Sequence, residues 1–337
     1  MSCEENALPA AATSIPALGS ITESDLMKTL EVSSDGLFHS GVGGVEAIVA
    51  TGDGKVEFVS FGDRTMAHVR SAMGYPAWYP VHPAEIRKPV RAVLMDLDGT
   101  SVHSESFWIW IIEQTTASLL GNENFRLEEA DLPYVSGHSV SEHLQYCIGK
   151  YCPTTTVEEA RRYYFEHTRR EMQEIVEGRG RTDAFTPSPG LAEFLHALRE
   201  RDIRIGLVTS GLYEKAWPEI LSAFRTLELG DPLEFYDAIV TAGFPMQKGK
   251  SAGTLGELSP KPHPWLYAEV CRVGLGIRFE ERHHVVGIED SGAGVCSIRL
   301  AGFAAIGVSG GNIVESGTRA LCSHYCERFD EILKIIS

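Results

Sequence analysis

The sequence is short of positive charge. Its 337 residues include 30 lysines and arginines against 46 aspartates and glutamates, and the formal net charge is −16 at pH 7. Because binding to nucleic acid or to an anionic membrane depends on clustered positive charge, this balance argues against both as a main function. The sequence also lacks an apolar run of the length that a transmembrane helix requires. We therefore expect no nucleic-acid partner and no membrane partner.

Cysteine is scarce and scattered. The cysteines are Cys3, Cys147, Cys152, Cys271, Cys296, Cys322 and Cys326, and no two close pairs combine into a zinc site. An odd number of dispersed cysteines in a chain of this size is typical of reduced thiols in a cytosolic protein. The first 20 residues carry acids early and have no basic segment before an apolar core, unlike a secretory signal. Both observations predict a cytoplasmic location.

The N-terminal quarter of the chain has few signals of secondary structure. Its first 20 or so residues are rich in Ala, Pro and Ser, a composition typical of a loose tail. Residues 45–50 and 55–60 are rich in β-branched and aromatic side chains and flank a glycine turn at residues 52–54, which predicts a β-hairpin. We assign residues 1–88 to an N-terminal appendage, partly β, with no catalytic grouping and no predicted role.

Two carboxylates follow a short apolar run near position 95. Residues 92–95, Ala-Val-Leu-Met, have the composition of a buried parallel strand, and Gly99 permits a sharp turn after it. Asp96 and Asp98 therefore lie at the carboxyl end of a strand, where ligands bind in open α/β sheets. Two carboxylates one residue apart favour a hard cation such as Mg²⁺. Taken alone, the motif leaves open a strand followed by an ordinary Asp-Gly turn.

A helical block follows this motif. Apolar residues recur on one helical face from Phe107 to Leu120, and further helices are predicted over residues 139–148 and 157–176. The block ends near Pro187-Ser-Pro-Gly190, where two prolines and a glycine favour a boundary. We predict an all-helical insertion over residues 104–186, placed after the first strand of the sheet, where an insertion can act as a lid.

Beyond residue 190 the pattern alternates between strands and helices. The predicted strands are residues 203–209, 238–240, 285–288 and 304–308, and the predicted helices are residues 191–200, a segment from residue 213, 265–273 and 293–301. Such alternation is typical of a doubly wound parallel sheet, to which residues 92–95 belong by composition. The expected fold class is therefore α/β.

Four motifs occur in order along this part of the chain. They are Asp96-Leu-Asp-Gly-Thr100, Thr209 at the end of Ile-Gly-Leu-Val-Thr, Lys261-Pro-His-Pro264 and Gly287-Ile-Glu-Asp-Ser291. With these motifs the chain from residue 91 onward resembles the haloacid dehalogenase superfamily, in the helical-cap subgroup that includes β-phosphoglucomutase and small sugar-phosphate phosphatases. The resemblance implies a Rossmann-like core made of residues 89–103 and 187–337, with residues 104–186 as the cap.

The resemblance also implies a function, the hydrolysis of a small phosphorylated metabolite with Mg²⁺ as cofactor. Asp96 would be the nucleophile that forms an aspartyl-phosphate, Asp98 the acid and base, and Lys261 a positive charge near the phosphate. The implied phosphate- or substrate-binding residues are Thr209, Ser210, Gly211 and His138. The implied metal ligands are Asp96, Glu289, Asp290 and Asp98, the last through its backbone carbonyl.

The chain departs from the family's pattern in two places. His103 stands where an Asp is common, and a glycine-rich loop at residues 247–257 precedes Lys261 where relatives are often shorter. Both departures are expected to bear on substrate selection. Within the loop, Gly249-Lys-Ser251 is similar to the end of a nucleotide-binding P-loop, but the upstream Gly243 is one residue too far away. We therefore expect no ATP site there.

Other interpretations stay open. Thr209 as a helix cap, Lys261 as a surface amine and Glu289 with Asp290 as a solvated acidic pair are each reasonable when taken singly. A phosphomutase is the alternative enzyme, although the predicted cap loop at residues 135–139 offers only His138 to bind a second phosphate. An inactive sensor of a phosphorylated ligand is the alternative of another class. Asp98 favours phosphate esters over dehalogenation, because a leaving halide needs no proton.

Overall fold

The structure, a computed structural model, describes residues 13–22, 25–70, 75–135, 140–181, 183–249 and 258–337. Its strands, in chain order, are β1 (Thr13–Ile15), β2 (Gly19–Ile21), β3 (Lys28–Leu30), β4 (Val45–Ala50), β5 (Val56–Phe61), β6 (Arg64–Val69), β7 (Ala77–Val81), β8 (Ala92–Asp96), β9 (Val102–His103), β10 (Thr186–Pro187), β11 (Arg204–Leu212), β12 (Ala238–Ala242), β13 (Val285–Glu289), β14 (Ala304–Val308) and β15 (His324–Cys326). Its helices are α1 (Glu105–Leu120), α2 (Leu132–Val135), α3 (Val140–Tyr151), α4 (Val157–Val176), α5 (Leu191–Glu200), α6 (Tyr213–Thr226), α7 (Pro232–Phe235), α8 (Trp265–Glu269), α9 (Gly292–Leu300) and α10 (Phe329–Ile336).

A six-stranded parallel sheet forms the core of the first of two compact units. That unit comprises residues 1–101, 189–213 and 233–337, and its sheet has the strand order β12-β11-β8-β13-β14-β15. Every strand of the sheet is parallel to its neighbours, and helices α5, α8 and α9 contact it. The predicted α/β fold class is confirmed. The edge strand β15 was not predicted, because a segment of three residues is too short to show a usable periodicity.

Strand β8 lies in the middle of this sheet and sets the register of its neighbours. All five of its residues are buried, as the apolar run at residues 92–95 predicts. Asp96 pairs with Val208 of β11, and Met95 pairs with Ile288 of β13. The residue after Val208 in β11 is Thr209, and the residue after Ile288 in β13 is Glu289. The register therefore brings the ends of three predicted motifs to one edge of the sheet.

The N-terminal segment forms a second sheet of five antiparallel strands in the order β3-β4-β5-β6-β7. The predicted hairpin is confirmed as β4 and β5, in which Ala50 pairs with Glu57. Strands β6 and β7 were not predicted, because Arg64 and His68 interrupt the alternation of one and Pro80 argues against the other.

This N-terminal sheet shares its hydrophobic core with the parallel sheet. Phe58 and Val69 are fully buried in one continuous cluster with Leu94 of β8 and Ile298 of α9. Full burial of such a side chain stabilises the fold by about 1.5–3 kcal/mol relative to exposure. The residues that the sequence presents as an appendage therefore contribute to the core of the same compact unit.

The second compact unit comprises residues 102–188 and 214–232. Strands β9 and β10 pair antiparallel in this unit, and helices α1, α3 and α4 pack together. The predicted apolar face of α1 is buried through Phe107, Ile111 and Ile112, and α4 has the predicted bounds. Within the described ranges, no helix of the chain is both long and apolar enough to cross a membrane.

Candidate active site

The residues at the carboxyl edge of the parallel sheet converge on Lys261. Its Nζ contacts a carboxylate oxygen of Asp96, and it donates to Glu289 Oε1 at 2.5 Å. The Lys261 side chain is only 7% exposed, so both ion pairs lie away from solvent. Burial alone would lower the pKa of Lys261, but the charges of Asp96 and Glu289 outweigh it and raise that pKa. The lysine is therefore a fixed ammonium, unlike the surface amine that its motif alone would permit.

Glu289 is held in place by donors on both of its oxygens. Besides Lys261, the Tyr267 hydroxyl donates to Oε1 at 3.1 Å. On the other oxygen, Oε2, the backbone amides of Asp290 (3.1 Å) and Ser291 (3.0 Å) and the Ser291 hydroxyl (2.9 Å) all donate. Glu289 is fully buried, so these bonds compensate for a carboxylate removed from water. Any metal ion that Glu289 binds has to exchange for one of them.

Asp290 approaches the turn that follows β8. The Thr100 hydroxyl donates to Asp290 Oδ1 at 3.0 Å. Gly99 has φ +83°, and a Cβ on it would lie 2.2 Å from Asp290 Oδ2. The left-handed backbone and the close approach both require glycine at this position. This explains physically why an Asp-Gly turn follows the strand.

Three carboxylates are gathered here against one ammonium. Asp96, Glu289 and Asp290 each offer an oxygen within 4.8 Å of the others, and all three are buried. Burial, and then the charge of Glu289, raise the pKa of Asp96 well above its usual value, and the same two causes raise the pKa of Asp290 to about 7. The single positive charge of Lys261 therefore does not balance the negative charges of the three carboxylates. A divalent cation that prefers oxygen ligands fits both the charge and the donor set.

Thr209 and Asp98 face each other beside this cluster. The backbone amide of Gly211 donates to Thr209 Oγ1 at 2.8 Å, and that hydroxyl lies 3.5 Å from Asp98 Oδ2, at the limit of a hydrogen bond. The backbone amide of Lys261 donates to Ser210 Oγ at 3.1 Å. The end of β11, from Thr209 to Gly211, is thus joined both to the β8 turn and to the lysine loop.

The structure brings together most of the residues singled out in the sequence. Lys261 contacts Asp96, Glu289 and Ser210, while Thr209 links Asp98 to Gly211, and Asp290 joins the carboxylate cluster. His138 and most of the loop at residues 247–257 lie outside the described residues. His103 is exposed on β9 in the second compact unit, where its Nε2 lies 3.1 Å from Ser188 Oγ.

Sequence reasoning missed two side chains that touch these carboxylates. Tyr267 is 22 positions before Glu289, and nothing in the composition of α8 marks its hydroxyl as a partner for an acid. Thr100 closes the first motif, but its bond to Asp290 spans 190 positions. The repeated co-occurrence of these residue types across related sequences is the signal that could have found them.

Comparisons with known proteins identify the family. Residues 90–302 match the family described as haloacid dehalogenase-like hydrolase. No curated protein sequence matches the chain.

Solved structures of similar fold cover about three quarters of the chain. A Thermotoga maritima protein assigned as a β-phosphoglucomutase superposes with a TM-score of 0.53 at 21% identity, covering 73% of this chain and 100% of its own. A subfamily IA hydrolase of the same superfamily from Geobacter sulfurreducens PCA gives 0.53 at 17%, covering 75% and 100%. A predicted phosphoglycolate phosphatase from Haemophilus somnus 129PT gives 0.51 at 16%, covering 74% and 99%. At these identities the likeness concerns the fold alone.

The family match covers well over half of the chain, and its motifs converge at one edge of the sheet. It confirms the resemblance inferred from the four motifs, and the chain belongs to the haloacid dehalogenase-like hydrolases.

Proposed function

We propose that the protein is a Mg²⁺-dependent phosphatase that hydrolyses a small phosphate monoester, such as a sugar phosphate, through an aspartyl-phosphate on Asp96. The observation that carries the proposal is the buried cluster in which Lys261 contacts both Asp96 and Glu289. A fixed ammonium beside a carboxylate at a strand end suits attack on an anionic phosphate. The small phosphorylated metabolite is the proposed partner.

Asp96 is the proposed nucleophile. One of its oxygens forms a bond to phosphorus while the ester P–O bond breaks, so the phosphoryl group moves to the protein and the alcohol leaves. The Ser101 hydroxyl donates to the backbone carbonyl of Asp96 at 2.6 Å and fixes the start of the turn. Lys261 offsets the charge that builds up between the attacking carboxylate and the phosphate oxygens.

Asp98 is the proposed acid and base. It gives a proton to the leaving oxygen, and in the second step it takes a proton from the water that attacks the aspartyl-phosphate, which restores Asp96 and releases phosphate. Its carboxylate is close to the Thr209 hydroxyl, and it is not a member of the carboxylate cluster found among the described residues. This position suits proton transfer better than metal binding through the side chain.

The proposed metal ligands are Asp96, Glu289, Asp290 and the backbone carbonyl of Asp98, and the three carboxylates among them form the buried cluster. Bound there, Mg²⁺ would polarise a phosphate oxygen and neutralise charge during transfer. Thr209, Ser210 and Gly211 are proposed to hold the phosphate through a hydroxyl and backbone amides. The role of His138 in substrate selection stays a sequence-based prediction.

The test is a screen of the purified protein against sugar phosphates, nucleotides and small phosphorylated acids, with Mg²⁺ and with a chelator. Asp96→Asn keeps the side chain's size and removes the anionic nucleophile, so it should abolish phosphate release while the thermal midpoint stays close to that of the wild type. Asp63→Asn, the same change at an exposed turn, is the control and should keep full activity.

Two outcomes would contradict the proposal. If Asp96→Asn still hydrolyses the substrate, Asp96 is not the nucleophile. If a chelator leaves the activity unchanged, the reaction does not depend on a metal ion. Because the Thermotoga maritima protein is assigned as a phosphomutase, the screen should also follow isomerisation of sugar monophosphates primed with a bisphosphate. Isomerisation without phosphate release would show that the protein transfers a phosphoryl group between positions of a sugar and does not hydrolyse the ester.

A further inference from the structure

A buried hydrogen bond attaches the loop that carries Lys261 to the N-terminal sheet. The Tyr79 hydroxyl on β7 lies 2.8 Å from His263 Nδ1, and His263 is 1% exposed. A phenol can donate or accept, so this bond exists in either tautomer of the imidazole. Among the described residues, His263 Nε2 has no hydrogen-bond partner. Tyr79 is therefore the group that orients the ring through hydrogen bonding.

The backbone of His263 connects this contact to the lysine. The His263 amide donates to the Pro260 carbonyl at 3.1 Å and closes a turn around Lys261. The Ser297 hydroxyl of α9 donates to the His263 carbonyl at 2.6 Å, while the Lys261 amide donates to Ser210 at 3.1 Å. These bonds attach the loop to the parallel-sheet core through Ser297 and Ser210, and to the N-terminal sheet through Tyr79.

Tyr79 is itself held firmly. It pairs with Ala67 in the sheet, and its ring makes T-shaped contacts with the rings of His263 and Trp265 at centroid distances of 5.8 and 5.9 Å. Burial raises the pKa of Tyr79 and lowers the pKa of His263, so it favours the neutral form of both groups. The contact is a neutral bond between two buried rings.

We propose that Tyr79 is a positioning residue: through His263 it fixes the loop that places Lys261 Nζ between Asp96 and Glu289. The consequence for catalysis rests on the proposed function. Misplacement of a reacting group by 1 Å costs up to about 10²-fold in rate. The N-terminal sheet is then a working part of the active site, although none of its described residues belongs to the four motifs.

The test compares two single hydroxyl deletions in the same sheet. Tyr79→Phe removes the hydroxyl and keeps the ring contacts, whereas Thr65→Val removes a hydroxyl that donates to the Pro16 carbonyl at 2.7 Å. Both should lower the thermal midpoint by similar small amounts. Only Tyr79→Phe should lower kcat, by about 3–30-fold with KM within about twofold, because it alone loosens the lysine loop.

A second readout does not depend on activity. Each lysine is labelled with acetic anhydride under limiting conditions and quantified by mass spectrometry. In the wild type Lys261 should be protected by its burial and its two ion pairs. Tyr79→Phe should raise its labelling at least about threefold, and His263→Asn, which keeps an acceptor near the position of Nδ1, should raise it less than His263→Ala.

Equal labelling of Lys261 in Tyr79→Phe and in the wild type would overturn the inference, whatever the activity. Greater labelling with an unchanged kcat would overturn it too, since the positioning would have no effect on the reaction. A wild-type protein without phosphatase activity would contradict the proposed function but not the positioning role of Tyr79. The labelling experiment would still decide whether Tyr79 fixes Lys261.

Discussion

Gly294 lies so close to Glu289 that a Cβ on residue 294 would be 1.8 Å from Glu289 Oε1. Gly294 is in the first turn of α9, where its amide donates to the Ser291 hydroxyl at 3.1 Å. Glu289 cannot move aside without releasing Lys261, because the same oxygen accepts from the lysine. The approach of α9 to the end of β13 therefore limits the movement of Glu289, one of the two carboxylates that Lys261 contacts.

Gly294→Ala should damage both stability and activity. The added methyl group has to displace a carboxylate that several donors hold, and overpacking of this kind costs about 1–3 kcal/mol. Gly149→Ala on α3 is the matched control, because a Cβ there meets nothing within 4 Å, and it should be neutral or stabilising by up to about 1 kcal/mol. Urea unfolding and kcat check both variants. A Gly294→Ala protein as stable and active as the control would contradict the close contact.

Asp98→Asn should separate proton transfer from metal binding. The substitution leaves in place the backbone carbonyl that is proposed to bind Mg²⁺. The new side-chain amide cannot act as an acid or base, so kcat should fall by about 10²–10⁴-fold. Mg²⁺ affinity, measured by calorimetry, should stay within about threefold of the wild type, because the side chain is outside the carboxylate cluster of the described residues. A large loss of affinity with normal turnover at saturating Mg²⁺ would show that Asp98 is a ligand instead.

The parallel-sheet core and the four motifs could be predicted because their signals are local. Residues 92–95 form an apolar run, and the helix over residues 157–176 has clear periodicity, so both elements have the predicted positions. The motif that ends in Thr209 is likewise contiguous in the sequence. Local composition was therefore enough to place the strand that carries Asp96 and the residues beside it.

The contacts that hold these residues depend on distant parts of the chain. The bond between Tyr79 and His263 spans 184 positions, and the one between Thr100 and Asp290 spans 190. No periodicity in a short window reports such pairs, and a single sequence has no covariation to reveal them. The contribution of the N-terminal sheet to the core could not be predicted for the same reason, because the local composition of that segment does not reveal which distant residues it packs against.

Magnesium should stabilise the wild type but not Asp290→Asn. Three buried carboxylates share one ammonium, so the metal-free protein carries repulsion that Mg²⁺ relieves. At 100 times its dissociation constant, a ligand stabilises the folded state by about 2.7 kcal/mol, which should raise the thermal midpoint of the wild type by several degrees. Without metal at pH 8, Asp290→Asn should be more stable than the wild type, since it removes one repelling charge and keeps an acceptor for Thr100. Equal Mg²⁺ shifts in the two proteins would exclude Asp290 as a ligand.

Asp131 in the second compact unit should control the acid stability of the protein. Its buried carboxylate accepts from the Tyr146 hydroxyl at 2.6 Å, Lys150 Nζ at 2.7 Å, the Glu128 amide at 2.8 Å and the Tyr151 hydroxyl. Burial alone would raise the pKa of Asp131, but these donors outweigh it and lower that pKa from its ordinary value of 3.8. Because the unfolded chain then binds the proton more readily, the contribution is fully present above about pH 4 and is lost as the pH falls further.

Asp131→Asn should therefore lower the free energy of unfolding at pH 7 by about 2 kcal/mol, since all four donors lose a charged acceptor and those that face the amide nitrogen lose their acceptor. The difference from the wild type should shrink at pH 3, where the wild-type carboxylate begins to lose its advantage. Asp183→Asn is the control: its side chain is 72% exposed and pairs with Arg181 at the surface, so little change is expected at either pH. Urea midpoints at the two pH values check the prediction. The difference in unfolding free energy between Asp131→Asn and the wild type could instead stay constant from pH 7 to pH 3. That result would show that Asp131 stabilises the protein by its shape and not by its charge.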